Sequence, residues 1–234
     1  MTKVRLYCLP HAGAIANVYK SWKKYMHNSI EICPIEMPGR GKRINAPFYE
    51  SIEAAADDVF KMIQEDIKHM PYAILGHSMG SMIGYELCHK LNQSNCIPPI
   101  HVFFSGRKAP HIPENNRKIH NLPDEEFINE IIKLGGTSLE VFRHEELKNF
   151  FLPILRMDYR ICEIYDYVDK GQLNFDLSIL YGKEDDMTAA EVIQWKQHTK
   201  KSCNIYEFSG GHFFINNLTE NVVEIINRNL SDSN

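Results

Sequence analysis

Apolar and polar positions alternate between two periods along the chain. Short, nearly continuous apolar runs predict buried strands at Val4–Leu9, Ile30–Ile35, Tyr72–Gly76, His101–Ser105, Leu177–Tyr181 and Asn204–Phe208. Between them, apolar residues at three- and four-residue spacing predict helices. The first is Ile15–Met26, with Val18, Trp22 and Tyr25 turned inward, and the second is Ser51–Met70, entered through a Ser cap. Others are the stretch after Ser78 to Asn92, Ala189–Thr199, and a closing helix from about Leu218 to Leu230. Strands alternating with helices imply an α/β fold, a mainly parallel sheet with helices on both faces.

From Arg107 to about Lys170 the strand signal stops. Pro123-Asp124-Glu125-Glu126 reads as a helix start, and Gly135-Gly136 reads as a stop. Ser138–Phe150 and Leu152–Tyr167 read as further helices rich in Phe, Leu, Ile and Tyr. This predicts one domain, 1–234, with a helical insertion at 107–170 where such sheets place a lid. Its aromatic stripe reads first as packing.

The first candidate for chemistry is Gly76-His77-Ser78-Met79-Gly80, a match to G-x-S-x-G. Thirteen glycines can produce that spacing by accident, and a turn serine is the plain alternative. A strand before it and a helix after it are what the motif requires. The sharp turn exposes the hydroxyl above a helix N-terminus, whose N–H groups favour developing negative charge. Ser78 is therefore the candidate nucleophile.

A serine needs a base, and the base needs an orienting acid. In α/β hydrolases these follow in the order Ser, Asp or Glu, His, each after a strand. Past Leu177–Tyr181 stand Glu184, Asp185 and Asp186; past Asn204–Phe208 comes Gly210-Gly211-His212. Of eleven histidines, only His212 sits just past the last strand on a Gly-Gly loop, and it is the candidate base. Asp185 is preferred as the acid for its distance from Gly182, with Asp186 and then Glu184 as alternatives. The backbone N–H of Met79 and that of Ala12, in the loop after the first strand, are the candidate oxyanion donors. His11 and His77 read as pocket-lining and structural.

Composition narrows the classes. A net charge of −4 and a pI near 6.3 argue against generic binding to nucleic acid or anionic membranes. No apolar run would span a bilayer, and the N-terminus has no signal-peptide layout. Six scattered cysteines without C-x-x-C read as reduced and mostly buried, which suits a cytoplasmic protein. The histidines show no metal-ligand spacing, so no metal is expected. Met37-Pro38-Gly39-Arg40-Gly41-Lys42-Arg43 reads as a solvated turn, or as a contact for an anionic substrate arm.

Six stretches in order, LYCLPHAGAIANVYKSW, MPGRGKR, LGHSMGSMIGYEL, LPDEEFINEIIKLGG, FLPILRMDYRICEIY and GGHFFI, span almost the whole chain. Together they resemble the type II thioesterases that accompany nonribosomal peptide and polyketide synthases, members of the α/β-hydrolase superfamily. The resemblance implies a monomeric enzyme that clears acyl or aberrant chains from the 4′-phosphopantetheine arm of carrier proteins. It implies Ser78, His212 and Asp185 as nucleophile, base and acid, and no cofactor of the enzyme's own. Two positions depart from the family pattern. Ala14 replaces a usual second glycine, and Ser81 follows Gly80 where glycine or alanine is common. The competing readings are a carboxylesterase or lipase on the same fold and a catalytically silent module docking on a synthase.

Overall fold

A computed structural model describes residues 3–94, 96–113, 118–137 and 139–231. Six parallel strands form its sheet among these residues: β1 (Val4–Leu9), β2 (Ile30–Pro34), β3 (Tyr72–His77), β4 (His101–Ser105), β5 (Leu177–Gly182) and β6 (Cys203–Phe208). They lie in the order β2-β1-β3-β4-β5-β6. All six strands expected from the apolar runs are present, with ends shifted by one residue at most.

Alternate strand residues feed two cores. Tyr7, Leu9, Tyr72, Ile74, Val102, Phe104, Leu177 and Ile179 share one cluster with α1 (Ile52–Ile63) and α2 (Met79–Gln93). Leu6, Cys8, Ala73, Leu75, Phe103 and Leu180 share the other with Tyr19, Trp22 and the C-terminal Val222, Val223 and Ile226. This period-two division places helices on both faces, as a parallel sheet requires.

Several helices differ from expectation. Ala16–Lys24 is a 3-10 helix that buries Tyr19 and Trp22, while Val18 and Tyr25 are only half-buried. Its three-residue turn stacks positions 19 and 22 and swings 18 off that line, while Tyr25 lies past the helix end as its C-cap. Ser51 caps α1 by accepting the Ala54 N–H, but α1 ends at Ile63 and a separate 3-10 turn covers Asp66–Lys68. Between β4 and β5 come α3 (Asp124–Lys133), α4 (Leu139–Arg143) and α5 (Glu145–Glu163). The expected break at Phe151 falls instead at His144, and α5 runs straight through Pro153. These helices hold a small core of their own, including Phe127, Ile131, Phe142, Leu152 and Leu155. The expected start at Ser138 lies outside the described residues, as do residues 114–117 of the insertion and the end of the polar tail.

After β5, the capping box of Thr188 and Glu191 opens α6 (Ala189–Val192), which tightens into a 3-10 turn to His198. The chain closes with α7 (Phe214–Asn217) and α8 (Thr219–Ser231). None of the six cysteines, all among the described residues, is in a disulfide; only Cys8 and Cys88 are buried and the other four are half-buried. Among the described residues no helix is long and apolar enough to cross a membrane.

Candidate active site

β3 ends at His77, α2 begins at Met79, and Ser78 alone makes the turn. Its backbone sits at φ 55° and ψ −115°, the one positive φ among the described non-glycine residues. Such a conformation costs about 1–3 kcal/mol and persists only when its surroundings enforce it. Glycines on both sides make room. A Cβ on Gly80 would stand 2.1 Å from the Leu9 carbonyl oxygen, and one on Gly76 would stand 2.3 Å from the Gly80 oxygen. The Ser78 N–H donates to the Ser105 carbonyl at 2.8 Å. Below the turn, the buried Ser81 hydroxyl lies 2.8 Å from the carbonyls of both Gly76 and Ser105 and accepts the Ser105 N–H at 3.0 Å. The departure from glycine or alanine at Ser81 thus ties α2 to β3 and β4.

β5 and β6 pair in parallel, so the loops leaving them emerge side by side. They touch through backbone: Glu184 N–H donates to the Gly210 carbonyl at 3.0 Å, and a Cβ on Gly182 would stand 2.5 Å from that oxygen. On this platform Asp185 Oδ2 lies 2.9 Å from His212 Nδ1. Asp185 Oδ1 accepts the Asp186 N–H at 2.8 Å, which fixes the carboxylate plane. Asp186 and Glu184 are exposed. With Nδ1 engaged by the carboxylate, Nε2 is the ring nitrogen left for a substrate or a hydroxyl.

Ser78, Asp185 and His212 line a cavity of about 760 Å³, together with Ala12, Tyr85 and Trp195. It lies outside the carboxyl ends of the strands, where parallel α/β sheets hold their ligands. Among the described residues the Ser78 hydroxyl has no hydrogen-bond partner. The N–H groups of Ala12 and Met79 likewise meet no acceptor among those residues, whereas the next two N–H groups after Ala12 are engaged. Gly13 N–H donates to Asp158 Oδ2 at 2.8 Å, and Ala14 N–H donates to the His11 carbonyl at 3.2 Å.

Two further imidazoles back the site. The His77 ring lies 5.1 Å from that of His212, and His11 lies 5.7 Å beyond His77. Burial holds His77 well below the ordinary histidine pKa, with His212 and His11 adding to the effect. Burial also pushes His11 down to about 4, with smaller contributions from His212 and Arg40. Both rings are thereby neutral at pH 7. Among the described residues no three His, Cys, Asp or Glu side chains converge as a metal would need.

The basic loop after β2 is neither a solvated turn nor an anion contact at Arg40. That side chain is fully buried, and its guanidinium makes a two-pronged pair with Asp158 of α5 at 2.7 and 2.8 Å. Arg43 is engaged by Asp58 and Tyr49, which leaves Lys42 as the loop's exposed cation. Asp158 is the residue that sequence reasoning missed. Its signal was an aspartate within an apolar stripe, three residues after Leu155 and three before Ile161.

A family model for the thioesterase domain matches residues 4–230. Among curated relatives, linear gramicidin dehydrogenase LgrE of Brevibacillus parabrevis is 35% identical over 97% of this chain and 88% of its own length. The solved structure of ClbQ from the colibactin NRPS/PKS pathway superposes with a TM-score of 0.92 at 32% identity, covering 99% of this chain and 98% of that one. The type II thioesterase BorB from the borrelidin biosynthetic cluster gives 0.89 at 31% identity, covering 98% and 93%. The redox name of the first relative is that protein's. Here the loop after β1 reads Pro10-His11-Ala12-Gly13-Ala14 and carries no G-x-G-x-x-G dinucleotide fingerprint.

Proposed function

Because the chain belongs to the thioesterase family, we propose that it hydrolyses acyl or aberrant intermediates from the 4′-phosphopantetheine arm of carrier proteins in nonribosomal peptide or polyketide biosynthesis. The observation that carries this reading is the Asp185–His212 hydrogen bond opening on the same cavity as Ser78. In this reading the Ser78 hydroxyl attacks the thioester carbonyl carbon while His212 Nε2 takes its proton. The oxyanion is held by the N–H groups of Met79 and Ala12. The tetrahedral adduct then expels the pantetheine sulfur, which leaves with the proton carried by His212. A thiol of pKa about 8.5 needs only modest assistance to leave. Water, deprotonated by His212, next attacks the acyl-Ser78 ester and releases the free acid, and the proton returns to Ser78. Asp185 holds the His212 ring and stabilises its protonated form.

The helices between β4 and β5 serve as the lid of a single domain, and the enzyme acts as a cytoplasmic monomer without a cofactor of its own. The phosphopantetheine belongs to the carrier partner.

The test is a short-chain acyl-carrier protein followed by intact mass, with wild type and Ser78→Ala in parallel. Loss of the acyl mass with wild type alone is the expected result. Persistence of that mass, with turnover of simple oxyesters, would replace this reading with an esterase; inactivity toward both would leave a docking module.

A further inference from the structure

The loop that carries Ala12 is held from outside the nucleophile turn, by the chain between β4 and β5. Asp158 Oδ2 accepts the Gly13 N–H at 2.8 Å and also faces Arg40 Nη1 at 2.7 Å. Asp158 Oδ1 accepts from Arg40 Nη2 at 2.8 Å. The same Arg40 Nη1 donates to the Ala14 carbonyl at 3.2 Å, and Arg40 Nε donates to the Pro38 carbonyl at 3.0 Å. One buried ion pair therefore grips the backbone at two consecutive residues, Gly13 by its N–H and Ala14 by its C=O. One turn earlier on α5, Leu155 Cδ2 lies 2.4 Å from where a Gly13 Cβ would stand, and Gly13 has φ +77°. The segment just after Ala12 is thus pinned by a left-handed glycine below and by α5 above.

A buried ion pair adds little net stability over a well-packed apolar replacement. What a bidentate guanidinium–carboxylate pair supplies is fixed geometry. Here that geometry falls on the peptide next to Ala12, which lines the cavity and whose N–H meets no acceptor among the described residues. An oxyanion donor acts only when preorganised at the developing charge, and a displacement of even 1 Å is costly.

We propose that Arg40 and Asp158 are positioning residues for the oxyanion hole, holding the Ala12 N–H on the transition-state oxyanion through Gly13 and Ala14. This rests on the reading of Ser78 as nucleophile and Ala12 as donor. The insertion's last helix, α5, is on this account part of the catalytic scaffold.

The test compares wild type with Arg40→Met/Asp158→Leu, which removes the pair without leaving a lone buried charge, and with Arg40→Lys, which keeps a counter-charge for Asp158 and the acceptor for Gly13. Melting temperature, steady-state kinetics on the acyl-carrier thioester and inhibition by n-butylboronic acid, whose Ser78 adduct is tetrahedral, are measured for each. In the double variant kcat should fall about 10- to 100-fold with KM within about threefold, and boronate inhibition should weaken by a similar factor. Arg40→Lys should recover most of that loss. A folded double variant with wild-type kcat overturns the proposal. So does a loss carried by KM alone with boronate inhibition unchanged. Wild-type inactivity on the carrier thioester would count against the proposed substrate instead, and the same ratios are then read on a short p-nitrophenyl ester.

Discussion

Asp185 Oδ2 stands 2.9 Å from His212 Nδ1, while the neighbouring Asp186 is exposed and contributes its N–H to the other Asp185 oxygen. Two adjacent carboxylates thus occupy unequal positions. Asp185→Asn should lower kcat by about 10³- to 10⁴-fold, because an amide can fix the wrong imidazole tautomer and cannot stabilise the cation. Asp186→Asn should stay within about threefold of wild type. Steady-state rates on one acyl-carrier substrate decide between them, and the reverse order would move the acid by one residue.

Ser78→Ala should reduce turnover by roughly 10⁶-fold while leaving a folded protein, since it removes the nucleophile and nothing that packs. Single-turnover assays with excess enzyme extend the measurable range. A residual rate near wild type would remove Ser78 from the mechanism.

The two glycines of α2 should behave oppositely. A Cβ at Gly80 meets backbone, 2.1 Å from the Leu9 oxygen and 2.9 Å from that of Pro10. Gly80→Ala must therefore push β1 and its loop away, at a cost of about 1–3 kcal/mol. At Gly84 the nearest atoms are side-chain carbons at 3.2 and 3.3 Å, and alanine gains about 1 kcal/mol of helix propensity. Gly84→Ala should be close to neutral by urea unfolding.

Ser81→Ala should destabilise the fold by about 1–3 kcal/mol, because it strands the buried Ser105 N–H that the hydroxyl accepts. That N–H sits beside the carbonyl that holds Ser78 in place. Urea unfolding measures the cost, and a variant as stable as wild type would show that Ser105 finds another acceptor.

Stability should fall on acidification from about pH 6.5 toward 4. Burial lowers His101, whose Nε2 lies 2.8 Å from Ser178 Oγ, to about 4, and it lowers His198 to about 4 as well. In the unfolded chain both titrate near 6.5, so between these limits the unfolded state binds more protons and stability rises with pH. Above pH 6.5 neither histidine contributes a slope. Each adds at most about 1.4 kcal/mol per pH unit within the window. Unfolding free energies at pH 7, 6 and 5 should show a shallower slope for His101→Gln than for wild type. An unchanged slope would assign the effect elsewhere.

The six strands and the Ser78 turn were legible from local pattern. A strand buried on both faces must be an apolar run, and a serine forced to φ 55° needs glycine where backbone crosses backbone. Chain order and a Gly-Gly loop single out His212 in the sequence, and the structure sets its ring against Asp185. Helix type and boundaries were less legible. Ala16–Lys24 winds as a 3-10 helix and α5 continues through Pro153, since packing of Trp22 and of the insertion's core overrides local preference.

The amino-acid sequence alone determined the parallel sheet and the Ser, Asp, His order, because both are written in spacing of 2, 3 or 4 residues and in short turns. Only the tertiary structure decided that Asp185 rather than Asp186 faces His212, and that Arg40 is locked onto Asp158, 118 residues away. The physical reason is that a carboxylate or guanidinium looks alike in any local window. Whether it meets solvent, substrate or a buried counter-charge is fixed by which distant element folds against it.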